Sequence, residues 1–159
     1  MYDTLLATPG IQYRIASRSV ERINEVGINP ATQEAYEEAI RGLLAHGLPV
    51  SEVRVDGNPA WPPTLFQEAP TRFIQHGDAL DWVIGAASII AKVTRDSYMR
   101  KLANQYPEFG FERNFGYGTK EHLAAIKSLG LTPLHRTRFC RKVALPEDAG
   151  PGLIEELFG

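Results

Sequence analysis

Two short strand-like runs, each placed between longer helix-like segments, constrain the fold of this chain more than any other feature. The first covers residues 51–57, in which Val53 and Val55 alternate with polar residues, and the second covers residues 71–75. Alternating runs that end at Gly and Asp are typical of β-strands. Strands that alternate with helices predict an α/β fold, with a mixed sheet and flanking helices.

Apolar residues at helical spacing predict helices over about 29–46, 81–105 and 119–129. Consecutive small residues, 85–88, lie in the middle helix and would let it approach another backbone closely. Ile11, Tyr13 and Ile15 alternate with polar positions, which predicts a further strand leading into a turn. We expect irregular structure in three segments: the proline-rich 59–70, the glycine- and aromatic-rich 109–118 and the basic 133–143.

Size and composition indicate one domain from a reducing compartment. The chain has 159 residues, and its one cysteine, Cys140, cannot form an intrachain disulfide. It contains no apolar run long enough to span a membrane, and its first residues do not resemble a signal peptide. We therefore expect a cytoplasmic protein with no membrane association.

Charge is divided unevenly along the chain, although the net formal charge is only −2. Residues 92–142 hold eleven Lys and Arg against four Asp and Glu, whereas the rest of the chain is acidic. A basic segment of this kind indicates a polyanionic partner. Charge alone also fits ordinary solvated helix faces with local ion pairs.

Two aspartates, Asp56 and Asp78, stand at the ends of the two short strands. Functional groups often lie at strand ends in α/β folds, and two carboxylates suit Mg²⁺ or Mn²⁺. The same residues are good turn formers beside glycine, and spacing alone favours that interpretation.

A tyrosine flanked by glycines, Tyr117, precedes a helix start at Thr119. Gly116 and Gly118 leave backbone N–H groups and the ring open to a phosphate, sugar or base. The alternative is a hydrophobic loop anchor. The histidines His76, His122 and His135 show no spacing typical of a zinc site.

Five stretches together make the sequence resemble bacterial ribonuclease HII. They are IQYRIASRSVERINEVGINPATQEAYEEAI (11–40), VDGN (55–58), HGDALDWVIGAASIIAKVTRD (76–96), YPEFGF (106–111) and GYGTKEHLAAIKSLGLTPLHRTRF (116–139). The resemblance implies a ribonuclease H-like fold. It makes residues 1–143 part of a catalytic domain and residues 144–159 a short C-terminal tail.

The resemblance also implies an activity: endonucleolytic cleavage of the RNA strand of RNA–DNA hybrids, including ribonucleotides embedded in duplex DNA. Asp56 and Asp78 match two of the family's four catalytic, metal-binding carboxylates, for Mn²⁺ or Mg²⁺. Asp96 is the other acidic residue nearby, but Asp78 fits the family's fourth position better. Tyr117, Gly116 and Gly118 match the substrate-binding motif that reads the 2′-hydroxyl.

The sequence departs from the family pattern in three places. The family's opening DEAGRGP string, with its Asp-Glu pair, does not occur. His76 stands where lysine is usual, and Asn114-Phe115 replaces the common His-Lys. We therefore expect an N-terminally truncated member of the family. Two alternatives remain: a non-catalytic nucleic-acid-binding remnant, and a protein that associates through exposed sheet edges without an obligate partner.

Overall fold

The structure is a computed structural model, and it describes residues 1–47, 49–57 and 69–144. The described elements, in chain order, are α1 (Tyr2–Ala7), α2 (Val20–Val26), α3 (Ile28–Leu44), β1 (Val53–Asp56), β2 (Thr71–Ile74), α4 (Gly77–Leu80), α5 (Trp82–Ala103), a 3₁₀ turn (Pro107–Phe109), α6 (Phe111–Asn114), α7 (Lys120–Leu129) and α8 (Thr137–Ala144). The chain divides into two compact units. One comprises residues 1–17 and 34–95, and the other comprises 18–33 and 96–159.

The first unit contains a parallel pair of strands, β1 and β2, with Asp56 opposite Ile74. The pairing extends beyond the strands, because the Gly57 N–H donates to the Ile74 carbonyl at 2.9 Å. Val55 is buried, while the ends of β1 reach solvent. The α/β class predicted from the alternating pattern is confirmed, and the described strands are parallel.

Helix α5 begins at a local cap. The Asp81 carboxylate accepts hydrogen bonds from the backbone N–H groups of Val83 and Ile84, at 2.9 and 3.1 Å. Further along, a Cβ added to Gly85 would lie 2.9 Å from the Asp78 carbonyl oxygen. The close approach to another backbone that the small residues predict therefore occurs at Gly85, where only glycine fits.

The second unit has its own apolar core. Phe109 and Phe111 stack with ring centroids 5.7 Å apart. The other buried members of the cluster are Leu102, Ala103 and Ile126. Segments from α5 to α8 pack on these residues, so the glycine- and aromatic-rich segment is part of a core rather than an open loop.

Several predicted elements are confirmed. Helix α3 begins at Ile28, close to the predicted start, and α5 and α7 match their predicted spans to within two residues. Thr119 caps α7, with its hydroxyl accepting from the His122 N–H at 3.3 Å. Both short strands form where the alternation placed them.

The strand predicted at residues 11–15 is wrong. This segment is irregular, and Tyr13 and Ile15 are both exposed. The Arg14 side chain instead lies against α3, where a Cβ added to Gly42 would be 3.0 Å from the Arg14 Cγ. A strand needs a neighbour for its backbone hydrogen bonds, and within the described sheet β1 pairs only with β2.

The prediction of an irregular basic segment over 133–143 is wrong in its second half, which forms α8. The first N–H of that helix donates to the side-chain oxygen of Asn24 at 3.0 Å, from 113 residues earlier in the chain. Cys140 and Val143 pack on the core of the second unit. Because the capping residue is so distant in sequence, the residues just before α8 do not indicate where the helix begins. Helices α1 and α2 were also not predicted.

Two predictions fall on residues outside the described ranges. They are the irregular connection over 59–70, apart from its last two residues, and the tail from 145 to 159. In the part of the chain that the structure describes, no helix is long and apolar enough to cross a membrane.

Candidate functional site

Asp56 is the last residue of β1, and its carboxylate is held by backbone from the next strand's end. Oδ1 accepts a hydrogen bond from the Gly77 N–H at 2.7 Å. A Cβ on Gly77 would lie 3.3 Å from that oxygen and 2.6 Å from the Ile84 side chain. The bond therefore fixes the orientation of Asp56. A side chain at position 77 would require the Ile84 side chain to shift.

Asp78 follows directly, in the first turn of α4, and is exposed. His76 precedes it in the left-handed backbone conformation, with φ of 56°. A non-glycine residue in this region costs about 1–2 kcal/mol. This turn brings the Asp56 carboxylate to the backbone of the residue next to Asp78, so the two strand-end aspartates predicted from the sequence belong to one place in the first unit.

A divalent cation fits the chemistry of these two side chains. Both are exposed carboxylates, and Mg²⁺ is commonly held by one or two carboxylates with water completing the shell. Asp96, the alternative acidic residue, is only 8% exposed. Within residues 1–47, 49–57 and 69–144, no three His, Cys, Asp or Glu side chains form a group that could hold a metal.

Tyr36 of α3 lies near Asp56, and sequence reasoning did not single it out. Burial, and then the Asp56 charge, raise the pKa of the Tyr36 hydroxyl above its usual value. Its place in an apolar helical stripe made it look like an ordinary core residue. Only the fold brings it to the carboxylate.

Tyr117 has an exposed ring on a firmly held backbone. Its side chain is among the exposed large apolar groups, at 60%. Its N–H donates to the Asn114 carbonyl at 2.8 Å, and its carbonyl accepts from the Thr119 N–H at 2.8 Å. This exposure does not match a buried hydrophobic anchor.

Asn114 builds this loop, although the sequence identified it only as a departure from a family pattern. It is 4% exposed. Its Nδ2 donates to the Phe109 carbonyl at 2.6 Å, and its Oδ1 accepts from the Gly116 N–H at 2.8 Å. Phe115, between them, has a left-handed φ of 49°. One buried amide therefore shapes the turn that leads into Tyr117.

Two buried histidines complete the surroundings of the loop. The His122 Nδ1 lies 2.9 Å from the Tyr117 carbonyl, and the His122 Nε2 lies 3.1 Å from the His135 Nε2. Burial, and then the neighbouring His122, lower the pKa of His135 below its usual value. Sequence reasoning tested these residues only for zinc spacing, so it did not find the pair.

A family model described as Ribonuclease HII matches residues 7–142. The chain belongs to the ribonuclease HII family. The match covers β1, β2 and the helices up to α8, and so includes Asp56, Asp78 and Tyr117. The ribonuclease HII resemblance carried by the sequence motifs is confirmed, and the small parallel sheet with its helices agrees with a ribonuclease H-like α/β fold.

Individual relatives agree with the family match. A protein named Ribonuclease HII from Cupriavidus metallidurans is 44% identical over 133 residues, covering 82% of this chain and 57% of its own length. One from Rhodospirillum rubrum is 44% identical over 149 residues, covering 93% of this chain and 65% of its own length. One from Paramagnetospirillum magneticum is 47% identical over 121 residues, covering 76% and 57%. The chain thus matches between about half and two thirds of the length of these ribonucleases HII.

Proposed function

We propose that this chain performs the hydrolytic work of a ribonuclease HII: endonucleolytic cleavage of the RNA strand of RNA–DNA hybrids, including single ribonucleotides embedded in duplex DNA. The observation that carries the proposal is the family match over residues 7–142. The basic segment at 92–142 supports a polyanionic substrate. In this proposal residues 1–143 belong to the catalytic domain, and 144–159 form a tail.

Asp56 and Asp78 are the proposed catalytic and metal-binding residues. A bound Mg²⁺ or Mn²⁺ would supply Lewis-acid stabilisation of the phosphodiester under attack. The chain's contribution is orientation, because the Gly77 N–H holds one oxygen of Asp56 at 2.7 Å. The second oxygen of Asp56 and the exposed carboxylate of Asp78 are the donors proposed for the cation.

Tyr117 is the proposed substrate contact, together with the backbone of Gly116 and Gly118. The exposed ring offers a flat apolar surface for a ribose or base. Its backbone is fixed by hydrogen bonds to both the N–H and the carbonyl, so little ordering is required when a ligand binds. Discrimination at this loop would rest on the ribose 2′-hydroxyl, which distinguishes RNA from DNA.

The experiment is a cleavage assay with the purified chain, a labelled RNA–DNA hybrid and Mn²⁺ or Mg²⁺. We expect a product with the hybrid and none with duplex DNA of the same sequence. Asp56→Asn and Asp78→Asn should each reduce the rate at least a hundredfold, while Asp3→Asn, on α1, serves as the matched control. Equal rates for Asp56→Asn and Asp3→Asn would overturn the assignment of the site.

A second candidate function is hybrid binding without cleavage. The observation that favours it is the small number of metal ligands. Within the described residues, Asp56 and Asp78 are not part of any set of three side chains that could hold a metal ion. Salt-dependent binding of the hybrid with no product, unaffected by Asp56→Asn, would select this function over the first.

A further inference from the structure

The two buried histidines beside the Tyr117 loop have hydrogen-bond partners that determine where their protons lie. The Thr132 backbone N–H, which can only donate, is 2.9 Å from the His135 Nδ1. That nitrogen must therefore accept. A neutral His135 then carries its proton on Nε2.

The tautomer of His122 is likewise set by its hydrogen-bond partners. The Tyr117 carbonyl, which can only accept, is 2.9 Å from the His122 Nδ1, so this nitrogen carries the proton. A neutral His122 then has an acceptor at Nε2. The His135 Nε2–H therefore donates to the His122 Nε2 across 3.1 Å. The hydrogen bonds run in one direction, from Thr132 through both rings to Tyr117.

Both rings lie in apolar surroundings. Each histidine is 4% exposed. The His135 ring lies 5.1 Å from the Phe109 ring and 6.1 Å from the Phe111 ring, measured between centroids. A charged imidazole in such an apolar enclosure loses most of its hydration, which disfavours protonation.

In the part of the chain that the structure describes, the side chains that hydrogen-bond to the pair from outside it are neutral. Asn24, on α2, donates to the His135 carbonyl at 3.3 Å through a neutral amide. The Thr132 hydroxyl also lies 2.9 Å from the His135 Nδ1. Arg136 follows in sequence, but its guanidinium lies over the Phe139 ring, 4.7 Å from the centroid. Among these neighbours, the titratable side chain that each imidazole faces is the other imidazole.

We propose that His122 and His135 are positioning residues. They form a neutral, one-directional hydrogen-bond relay that holds the Tyr117 backbone in place for contact with an RNA–DNA hybrid. Protonation of either ring interrupts this relay. The role in substrate contact rests on the function proposed above, whereas the relay itself is a property of the free protein. A proton added to His122 goes to its Nε2 and places N–H groups on both sides of the Nε2 contact. A proton added to His135 goes to its Nδ1 and places an N–H group against the Thr132 N–H. In either case two donors face each other and that contact becomes repulsive.

The relay is tested first in the full chain without ligand, by nitrogen NMR of isotopically labelled histidine side chains. The chain has four histidines, and His46 and His76 are exposed references. We expect His122 as the Nδ1–H tautomer and His135 as the Nε2–H tautomer. The same tautomer for both rings would overturn the relay.

The positioning role is tested by two substitutions of His122 that differ in which ring nitrogen they replace. The amide nitrogen of Asn stands at the same bond separation from Cβ as Nδ1, so His122→Asn keeps the donor to Tyr117. The amide nitrogen of Gln stands at the separation of Nε2, so His122→Gln loses that donor. Binding of a fluorescent RNA–DNA hybrid is measured for both variants, with His46→Gln as the control.

We expect the affinity of His122→Asn for the hybrid to stay within about twofold of that of the unchanged chain. His122→Gln should bind the hybrid about five- to tenfold more weakly, because it loses one hydrogen bond. A packing role predicts the reverse order, because Gln fills the space of the imidazole better than Asn. That reverse order would overturn the proposal. If the unchanged chain binds no hybrid, the proposed function fails, and the tautomers alone decide whether the relay exists.

Discussion

The Asp56 carboxylate accepts a hydrogen bond of 2.7 Å from the backbone N–H of Gly77. This contact joins the end of β1 to the turn that follows β2, and Gly77 itself is buried. A carboxylate that is proposed to bind a cation thus also satisfies a buried backbone donor. Substitutions of Asp56 can separate these two roles, because an amide accepts the same hydrogen bond without carrying charge.

Asp56→Asn should leave the free energy of unfolding nearly unchanged while abolishing metal-dependent cleavage. Asp56→Ala should also destabilise the chain, by about 1–3 kcal/mol, because it leaves the Gly77 N–H without its acceptor. Urea unfolding of the two variants measures the difference. If Asp56→Asn is as destabilised as Asp56→Ala, the hydrogen bond to Gly77 is not what the carboxylate contributes to stability.

Gly85→Ala should destabilise the chain by about 1–3 kcal/mol. Alanine improves helix propensity by only about 1 kcal/mol, whereas the new Cβ would lie 2.9 Å from the Asp78 carbonyl oxygen, a backbone atom that cannot move alone. Because the strain falls on Asp78, cleavage should decline as well. Ser88→Ala, at an exposed position of the same helix, is the control and should change stability by less than about 0.5 kcal/mol.

Asn114→Ala should loosen the Tyr117 loop and lower the free energy of unfolding by about 2–3 kcal/mol, because the half-buried Gly116 N–H and the Phe109 carbonyl both lose their partner. Amide hydrogen exchange at Gly116 and Tyr117 should accelerate. Asn104→Ala, an exposed asparagine in the turn after α5, provides the comparison. Unchanged exchange at Gly116 in Asn114→Ala would show that the loop is held by other contacts.

Stability should fall as the pH decreases below the ordinary histidine pKa of 6.5. Burial and the neighbouring His122 lower the pKa of His135 in the folded chain, so below pH 6.5 the unfolded chain binds more protons than the folded one. The stabilisation is therefore present above 6.5 and is lost as pH falls through the lowered folded-state value.

Urea unfolding at several pH values checks this direction. His135→Gln, less stable than the unchanged chain at neutral pH, should lose less stability on acidification, so the two unfolding free energies should converge. Parallel pH profiles for the two chains would contradict the prediction and assign the acid sensitivity to other groups.

The sequence predicted those features whose causes are local. The alternation at Val53 and Val55 specifies β1, and Thr119 specifies the start of α7, because each signal lies within a few residues of its effect. The strand-end aspartates were found for the same reason. The Gly77 N–H, next to Asp78, donates to the Asp56 carboxylate, and the metal-binding role of the two aspartates stays a prediction.

The features that the sequence did not predict depend on contacts between distant residues. The start of α8 is capped by Asn24, from 113 residues away, and the His122–His135 contact joins residues 13 apart. The alternation at Tyr13 and Ile15 predicted a strand that does not form. Alternation indicates that a segment could form a strand, but it does not show that another strand is there to pair with it.

Two non-glycine residues, His76 and Phe115, have a left-handed backbone conformation beside the proposed functional residues. His76 and Phe115 each stand directly before a glycine and two positions before a proposed functional residue, Asp78 or Tyr117. The backbone at these points is set by the turns around them, and the side chain of His76 is exposed. A change of side chain at position 76 would therefore alter the surface beside the two proposed metal ligands without replacing either carboxylate.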